Sequence, residues 1–335
     1  MDVGVFLGSQ YAPDQDIYAA FQGLIEQTRL IRDNGYDAIW LGQHFLSAPD
    51  QYLQTTPMLA RLAAEAGDMK LGTNLLLLPL MNPVDIAEQY ATMDVISGGK
   101  LILGVGLGYR DAEFEAFQLR KKDRVGRLEE GVEILKRLWT EENVSFEGKH
   151  FTLDNVTISP RPIQKPRPQI WFGATADPAI RRAAVQGDAW IATSMTEWGE
   201  MEQQVALYHQ TRKEAGLPEK VEFAKCVELY VGDDKESAVK EAEPYIGAKY
   251  KAYYSWGMGD NVPGNSGAGM SDFAELTRNR FIIGGVDDVI QDCLYHRDTL
   301  GVTHLIVRLN FPGMPMELVR RSIERFGKEV IPAIR

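Results

Sequence analysis

The chain has 335 residues, 44% hydrophobic and 25% charged, which is enough to bury a full apolar core without covalent staples. A formal net charge of −11 at neutral pH excludes a protein built around a basic nucleic-acid-binding stripe. The N-terminus, MDVGVFLGSQYAPDQD, carries no basic leader, and no stretch approaches the roughly 20 apolar residues of a membrane helix, so a cytoplasmic protein is expected.

Short β-rich runs alternate with helical patterns along the chain. Residues 3–7 read as a strand. Residues 17–34 have helical periodicity and stop at Asn34-Gly35. A second strand is expected over 38–41 and a helix over 57–66, with Thr55 and Thr56 as caps. Residues 70–78 read as a third strand, apolar on nearly every position from Leu75 onward, as in a strand covered on both faces. A helix over 84–96, entered through Asn82-Pro83, precedes a fourth strand over 101–105 and a long helix over 124–139. Residues 144–158 alternate around Glu147-Gly148 and read as a hairpin. Pro160, Pro162, Pro166 and Pro168 then form an extended connector. The rhythm resumes with strands over 170–172, 189–192, 222–231 and 304–309, and helices over 178–186, 199–214, 236–250, 287–300 and 316–330. Eight strands, each followed by a helix, predict one closed (β/α)₈ barrel, the TIM-barrel class of α/β folds, as a single domain. The Gly- and Asn-rich stretch near 253–272 reads as a mobile insertion.

Several motifs are excluded by spacing. Gly104-Val105-Gly106-Leu107-Gly108 lacks the third glycine of a dinucleotide turn and has Tyr109 there instead. Ser97-Gly98-Gly99-Lys100 is not a phosphate-binding loop. Neither a zinc-binding HExxH or CxxC set nor a GxSxG elbow occurs. Cys226 and Cys293 have no metal or redox spacing and are expected as buried or half-buried thiols. Of the five histidines, His44 stands just past a strand end, where barrel chemistry sits, and its side chain titrates near neutral pH; packed and catalytic roles both fit this position. The glycine-rich end of the fourth strand, with Gly106, suits close approach of backbone to something bulky and flat. Gly173-Ala174-Thr175-Ala176-Asp177-Pro178 leads into a helix. Its threonine and aspartate are capping candidates, and the exposed amides of that helix start suit a phosphate.

These segments together resemble the luciferase-like monooxygenase family. The residues carrying the likeness are WLGQHF at 40–45, the stretch from Gly72 to Val84, AEQYATMDVISGGKLILGVGLG at 87–108, residues 113–117 and 124–139, PRPIQKPRPQIWFG at 160–173, residues 181–190, and the tail from Pro312 to Pro332. The resemblance implies an FMNH₂-dependent two-component monooxygenase. It would activate O₂ through a flavin C4a-hydroperoxide and oxygenate a small organic substrate. No nicotinamide site is apparent, so a separate NAD(P)H:flavin reductase is the implied partner, and a homodimer is the implied assembly. The alternative within the same fold is a deazaflavin-dependent oxidoreductase that transfers hydride without oxygen.

By position, His44 matches the family histidine beside the reactive face of the flavin, with Gln43 where a glutamate is usual. Asn74 and Leu75 match a bulge that often holds a cis peptide under the ring. Leu107 stands where many members have an arginine for the flavin phosphate. That leaves Arg110 as first replacement, helped by the Ala174 and Thr175 amides. Gly106, Tyr109, Gly173 and Ser194 complete the expected cofactor contacts. Phe6, Tyr11, Tyr254, Trp256 and Met258 are the expected substrate walls, those of the insertion also serving as a lid.

Overall fold

The structure, a computed structural model, describes residues 1–255 and 273–335. Eight parallel strands form its centre: β1 (Asp2–Leu7), β2 (Ala38–Leu41), β3 (Lys70–Thr73), β4 (Leu101–Val105), β5 (Gln169–Ala174), β6 (Ala189–Ala192), β7 (Glu222–Val231) and β8 (His304–Arg308). Each pairs with the next in sequence, and β8 pairs back onto β1, so the sheet closes on itself. This is the expected (β/α)₈ barrel. The helices that cover it are α1 (Ile17–Asp33), α2 (Thr55–Ala66), α3 (Pro83–Ile96), α4 (Arg124–Thr140), α5 (Asp177–Gln186), α6 (Trp198–Glu214), α7 (Lys235–Ser255), α8 (Val286–Asp298) and α9 (Met316–Arg325). Among the described residues, no helix is long and apolar enough to cross a membrane.

Strand alternation divides the core into two parts. Val3, Val5, Leu7, Ile39 and Leu41 face the helices, in the large outer core. Ala38, Trp40, Ile102, Trp171, Ala189, Ile191, Ala224 and Ile306 fill the barrel. The indoles of Trp40 and Trp171 lie 5.3 Å apart at its centre. Their size dictates their neighbours: a Cβ at Gly4 would lie 2.4 Å, and one at Gly72 2.1 Å, from atoms of Trp40. Each buried ring removes roughly 150–250 Å² from water, worth about 4–6 kcal/mol at ~25 cal/mol per Å². The glycines exist so that the ring can be there.

Local signals hold at several ends. Asp16 caps α1 through bonds from the Tyr18 and Ala19 amides, and Gly35 follows with φ of +77°. Asn82 caps α3, with Pro83 in its first turn. Val144–Glu147 and Thr152–Val156 form the expected hairpin.

Other expectations are corrected. The third strand ends at Thr73 rather than at 78. The chain then turns inward, and Leu76, Leu77, Leu78 and Leu80 are buried without strand pairing beyond one bridge to Val105. An unbroken apolar run reports burial, not strand geometry. Thr55 and Thr56 begin α2 instead of capping it. The Thr55 hydroxyl bonds the Gly42 carbonyl, and that of Thr56 pairs with the Tyr90 hydroxyl at 3.1 Å. Neither Thr175 nor Asp177 caps α5, which starts from Ala176 with no side-chain cap. A short strand, Ile282–Gly284, extends the upper half of β7 outside the ring. It had no sequence signature beyond three residues.

Candidate active site at the barrel mouth

At the C-terminal ends of the strands, the Asn74–Leu75 peptide is cis, where the resemblance placed it. The chain is tied down there on both sides. The Asn74 amide donates to the Leu41 carbonyl at 2.7 Å, and Leu76 exchanges bonds with the Gly104 carbonyl at 2.8 Å and the Gly106 amide at 2.9 Å. Gln43, where the resemblance expects a carboxylate, is buried and spends its carbonyl oxygen on the Leu77 amide at 2.9 Å. The Leu75 side chain drops into the space left by two glycines. A Cβ at Gly106 would lie 2.7 Å, and one at Gly173 2.0 Å, from Leu75 Cδ1. So Leu75 occupies the room at Gly106 and Gly173 and forms an apolar floor above the barrel interior. Asn74 Nδ2 reaches across to Cys226 Sγ at 3.1 Å, and burial pushes that thiol above its ordinary value. Cys226 is half-buried and Cys293 buried, both as free thiols.

His44, two residues past Gly42, has a quarter of its side chain exposed. Its Nδ1 lies 3.2 Å from Oε1 of Glu113, a fully buried carboxylate on the short helix Asp111–Ala116. The same oxygen accepts the Phe45 amide at 3.0 Å. An ionised carboxylate only accepts, so a neutral imidazole puts its hydrogen on Nδ1 and its lone pair on Nε2. The carboxylate beside this imidazole thus comes from a different loop, not from position 43. Tyr52 and Tyr109 meet the imidazole edge-on, with centroids 5.8 and 5.9 Å away. Gln10-Tyr11 and Gln51-Tyr52 pair as a two-stranded ribbon over this side. The cleft next to His44 is lined by Gln10, Ser47, Ala48, Pro49 and Arg110. Burial pushes the Tyr11 phenol well up, so it remains a hydroxyl at neutral pH.

The opposite wall is charged. Glu228 Oε1 accepts from Lys249 at 2.5 Å, Tyr250 at 2.8 Å and Ser194 at 3.2 Å. Burial by itself would raise this carboxyl, but Lys249 and Arg308 more than offset it and hold Glu228 below the ordinary carboxylate range. Burial, together with the Glu228 charge, drives the Tyr250 phenol well up. Arg308 stacks on Phe6, 4.1 Å from its ring centroid. That ring in turn lies against Gly42: a Cβ there would meet Phe6 Cζ at 3.0 Å and the Asn74 carbonyl oxygen at 3.1 Å.

A flavin fits this chemistry at its ring end. The Leu75 floor and Phe6 are apolar, while Asn74, Ser194 and His44 offer hydrogen bonds at the rim. At the phosphate end, Leu107 packs against the outer core and provides no charge. Arg110 donates to the Phe45 carbonyl at 2.7 Å and the Leu46 carbonyl at 3.1 Å and lies 3.5 Å from Glu113, so it straps the two loops together. Arg181 and Arg182 are directed to Thr211 and Glu129. Arg124, at the start of α4, donates to the Gly108 carbonyl at 3.1 Å, one residue past Leu107. A cation is thereby held against this loop. The Thr175 carbonyl takes a bond from Gln204 and that of Ala174 one from Trp190, which fixes the end of β5.

Sequence reasoning missed Glu113, Arg124, Tyr52, Glu228, Lys249 and Arg308. The first two lie inside segments that carried the family likeness, but nothing local marks a carboxylate 69 positions from its histidine. Of the expected substrate walls, Phe6 and Tyr11 are at the mouth. Trp256, Met258 and the Tyr254 side chain lie outside the described residues.

Comparison with known proteins matches these features. The oxygenase component of the flavin-dependent trigonelline monooxygenase of Acinetobacter baylyi is 26% identical over 351 residues, covering 99% of this chain and 95% of that one. The F420-dependent glucose-6-phosphate dehydrogenase of Segniliparus rotundus is 25% identical over 335 residues, covering 93% of each. The oxygenating constituent of 3,6-diketocamphane monooxygenase from Pseudomonas putida, solved with FMN, superposes with a TM-score of 0.84 at 19% identity, over 100% of this chain and 99% of that one. Residues 1–304 match the description of luciferase-like monooxygenases, and the chain belongs to that family.

Proposed function

We propose that this protein is the oxygenase of a two-component flavin monooxygenase, taking reduced FMN from a separate NAD(P)H:flavin reductase and oxygenating a small organic compound. The observation that carries this reading is the pairing of His44 with buried Glu113 at a barrel mouth that also carries the cis Asn74–Leu75 peptide. Full-length likeness to the trigonelline oxygenase component supports it. When bound, the reduced flavin supplies the two electrons that activate O₂.

The chain's own part is to bind, orient, exclude water and handle a proton. Leu75 and Phe6 form the dry floor and wall. Arg124, with the Thr175 hydroxyl and the amides at the start of α5, suits the phosphate. Glu113 fixes the Nδ1–H tautomer of His44, leaving Nε2 to give or take a proton at the reacting face. Two copies pairing through the helices after β2 and β3 complete the proposed assembly.

A second reading, hydride transfer with a deazaflavin, is favoured by the full-length dehydrogenase relative and by the absence of an arginine at position 107. One experiment separates them. Photoreduced FMN is mixed with the protein and air, and its reoxidation is followed by absorbance beside free FMNH₂. A parallel titration uses a deazaflavin. Tight binding of reduced FMN with slowed reoxidation is expected. Deazaflavin binding without FMN affinity would overturn the monooxygenase reading.

A further inference from the structure

Between β7 and the helices that cover it lies a buried charge that the active-site reading leaves unused. Ala224 and Cys226 pack in the barrel interior, whereas Phe223, Val227 and Leu229 pack in the outer core. Strand alternation therefore sends the Lys225 side chain outward. Lys225 is 0% exposed. Burying an ammonium in an apolar layer is costly, and a methionine would fill similar space without that cost. Register pairs Lys225 with Ala192 on β6, and its ammonium donates to the carbonyl of the next residue, Thr193. Glu228, three residues further along β7 and on the opposite face, accepts from the Ser194 hydroxyl at 3.2 Å. One strand thus holds the Thr193–Ser194 turn from both faces. Arg280 adds a third tie, donating to the Met195 carbonyl at 3.1 Å.

We propose that Lys225 is a positioning residue, which fixes the turn at the end of β6 so that Ser194 presents its hydroxyl to the ring of the bound cofactor. The proposal rests on the reading of this mouth as a flavin or deazaflavin site, and it adds a residue that touches no ligand itself. The Thr193 carbonyl and the Ser194 amide belong to one rigid peptide plane. Without its charged donor that plane is released to rotate, and Ser194 turns with it. An ammonium makes a charge-assisted bond, roughly twice as strong as that of a neutral amine. Burial lowers Lys225 from its ordinary value to about 8, while Cys226 and Glu228 on its own strand favour its charged form. From α8, His296 is lowered to about 4 by burial and by the Lys225 charge, so it faces the lysine as a neutral imidazole. From β8, Arg308 acts on Glu228. The paired strand β6 reads Ala-Trp-Ile-Ala and carries no charge. The hold on Thr193 therefore weakens as pH rises through about 8.

The test compares Lys225→Met with wild type. Hydrogen exchange reads the protection of the 193–196 amides, titration with FMN and with a deazaflavin reads the cofactor, and urea unfolding reads the fold. At pH 7 the variant is expected to lose protection at 193–196 while the barrel strands keep theirs. It is expected to bind the cofactor about tenfold more weakly, the low end for a charge-assisted bond. It is expected to unfold at the same or a higher urea concentration, because a buried charge has been removed. In wild type, turn protection and cofactor affinity are expected to fall by about three- to tenfold between pH 7 and 9, a step that the variant lacks. Unchanged protection and affinity in the variant overturn the proposal. So does a loss of protection spread through the barrel with a lower urea midpoint, which marks a merely structural lysine. If Lys225→Met does not fold, wild type decides: a step near pH 8 in protection at 193–196 supports the proposal, and its absence overturns it. If wild type binds neither cofactor, the reading of the mouth fails, and the exchange result alone decides whether Lys225 anchors the turn. Cofactor binding that is indifferent to Lys225→Met refutes the lysine's role and leaves the reading of the mouth standing.

Discussion

Adding a single methyl group at Gly173 tests whether Leu75 is seated by its glycines. Gly173 needs no left-handed backbone, so Gly173→Ala carries a steric cost and no conformational one. The new carbon would lie 2.0 Å from Leu75 Cδ1 and 3.0 Å from its Cγ and Cδ2. Favourable carbon contacts are about 3.5–4.0 Å, so Leu75 must retreat by roughly 1.5–2 Å. Its retreat is hindered, because Leu76 is bonded to both Gly104 and Gly106. Overpacking of this kind costs about 1–3 kcal/mol. Leu75→Ala alone should cost about 2 kcal/mol, the low end for a leucine, since the side chain is only partly buried. In the double variant the new methyl fills vacated space, so the combined loss should fall short of the sum by about 1 kcal/mol or more. Urea unfolding of the four proteins gives the cycle. FMN binding is expected to weaken in Gly173→Ala and to recover in part in the double variant. Additivity within about 0.5 kcal/mol would refute the contact between Leu75 and this glycine.

Two other predictions rest on charged groups. Glu113→Gln replaces a pure acceptor with a group that can also donate, so the neutral His44 imidazole should change from Nδ1–H alone to a mixture of tautomers, read by ¹⁵N NMR. Turnover should fall by about a hundredfold or more, the size of a general acid–base contribution; an unchanged tautomer and rate would remove Glu113 from the mechanism. At the opposite end of the barrel, His304 lies 3.2 Å from Asp2 and 2.8 Å from Glu222. Burial opposes charge on His304, but these carboxylates win and raise it, while bonding to His304 lowers both Asp2 and Glu222. The raised histidine contributes stability that is complete below about pH 6.5 and lost as pH rises through its folded value. The lowered carboxylates contribute above about pH 4 and lose it as pH falls through theirs. Urea midpoints against pH should therefore decline above pH ~6.5 more steeply in wild type than in His304→Gln; parallel curves would contradict the ion pairs.

Much of the fold was legible because burial leaves a local period. β2, β6 and β7 match the expected ranges, and so do the hairpin, the helix stop at Asn34-Gly35 and the helix entry at Asn82-Pro83. Where the expectation failed, side chains had tertiary uses that outweighed their local ones. Thr55 and Thr56 look like caps, yet their hydroxyls are taken by Gly42 and Tyr90. Residues 75–78 look like the end of a strand because they are apolar, yet the strand stops at Thr73 and Leu76, Leu77 and Leu78 are buried without continuing it.

The sequence by itself determined the eight strands of the ring, its closure and the placing of His44 at its mouth, since hydrophobic period and strand ends are local properties, whereas Asn74 was placed there by the family likeness because the expected strand ran past it. Only the tertiary structure decided the partners. Glu113 reaches His44, Arg308 reaches Phe6 and Glu228, and Leu75 finds Gly173 because loops from different strands converge once the barrel closes. Such meetings depend on the geometry of the whole ring, and residues far apart in the chain carry no trace of them in their spacing.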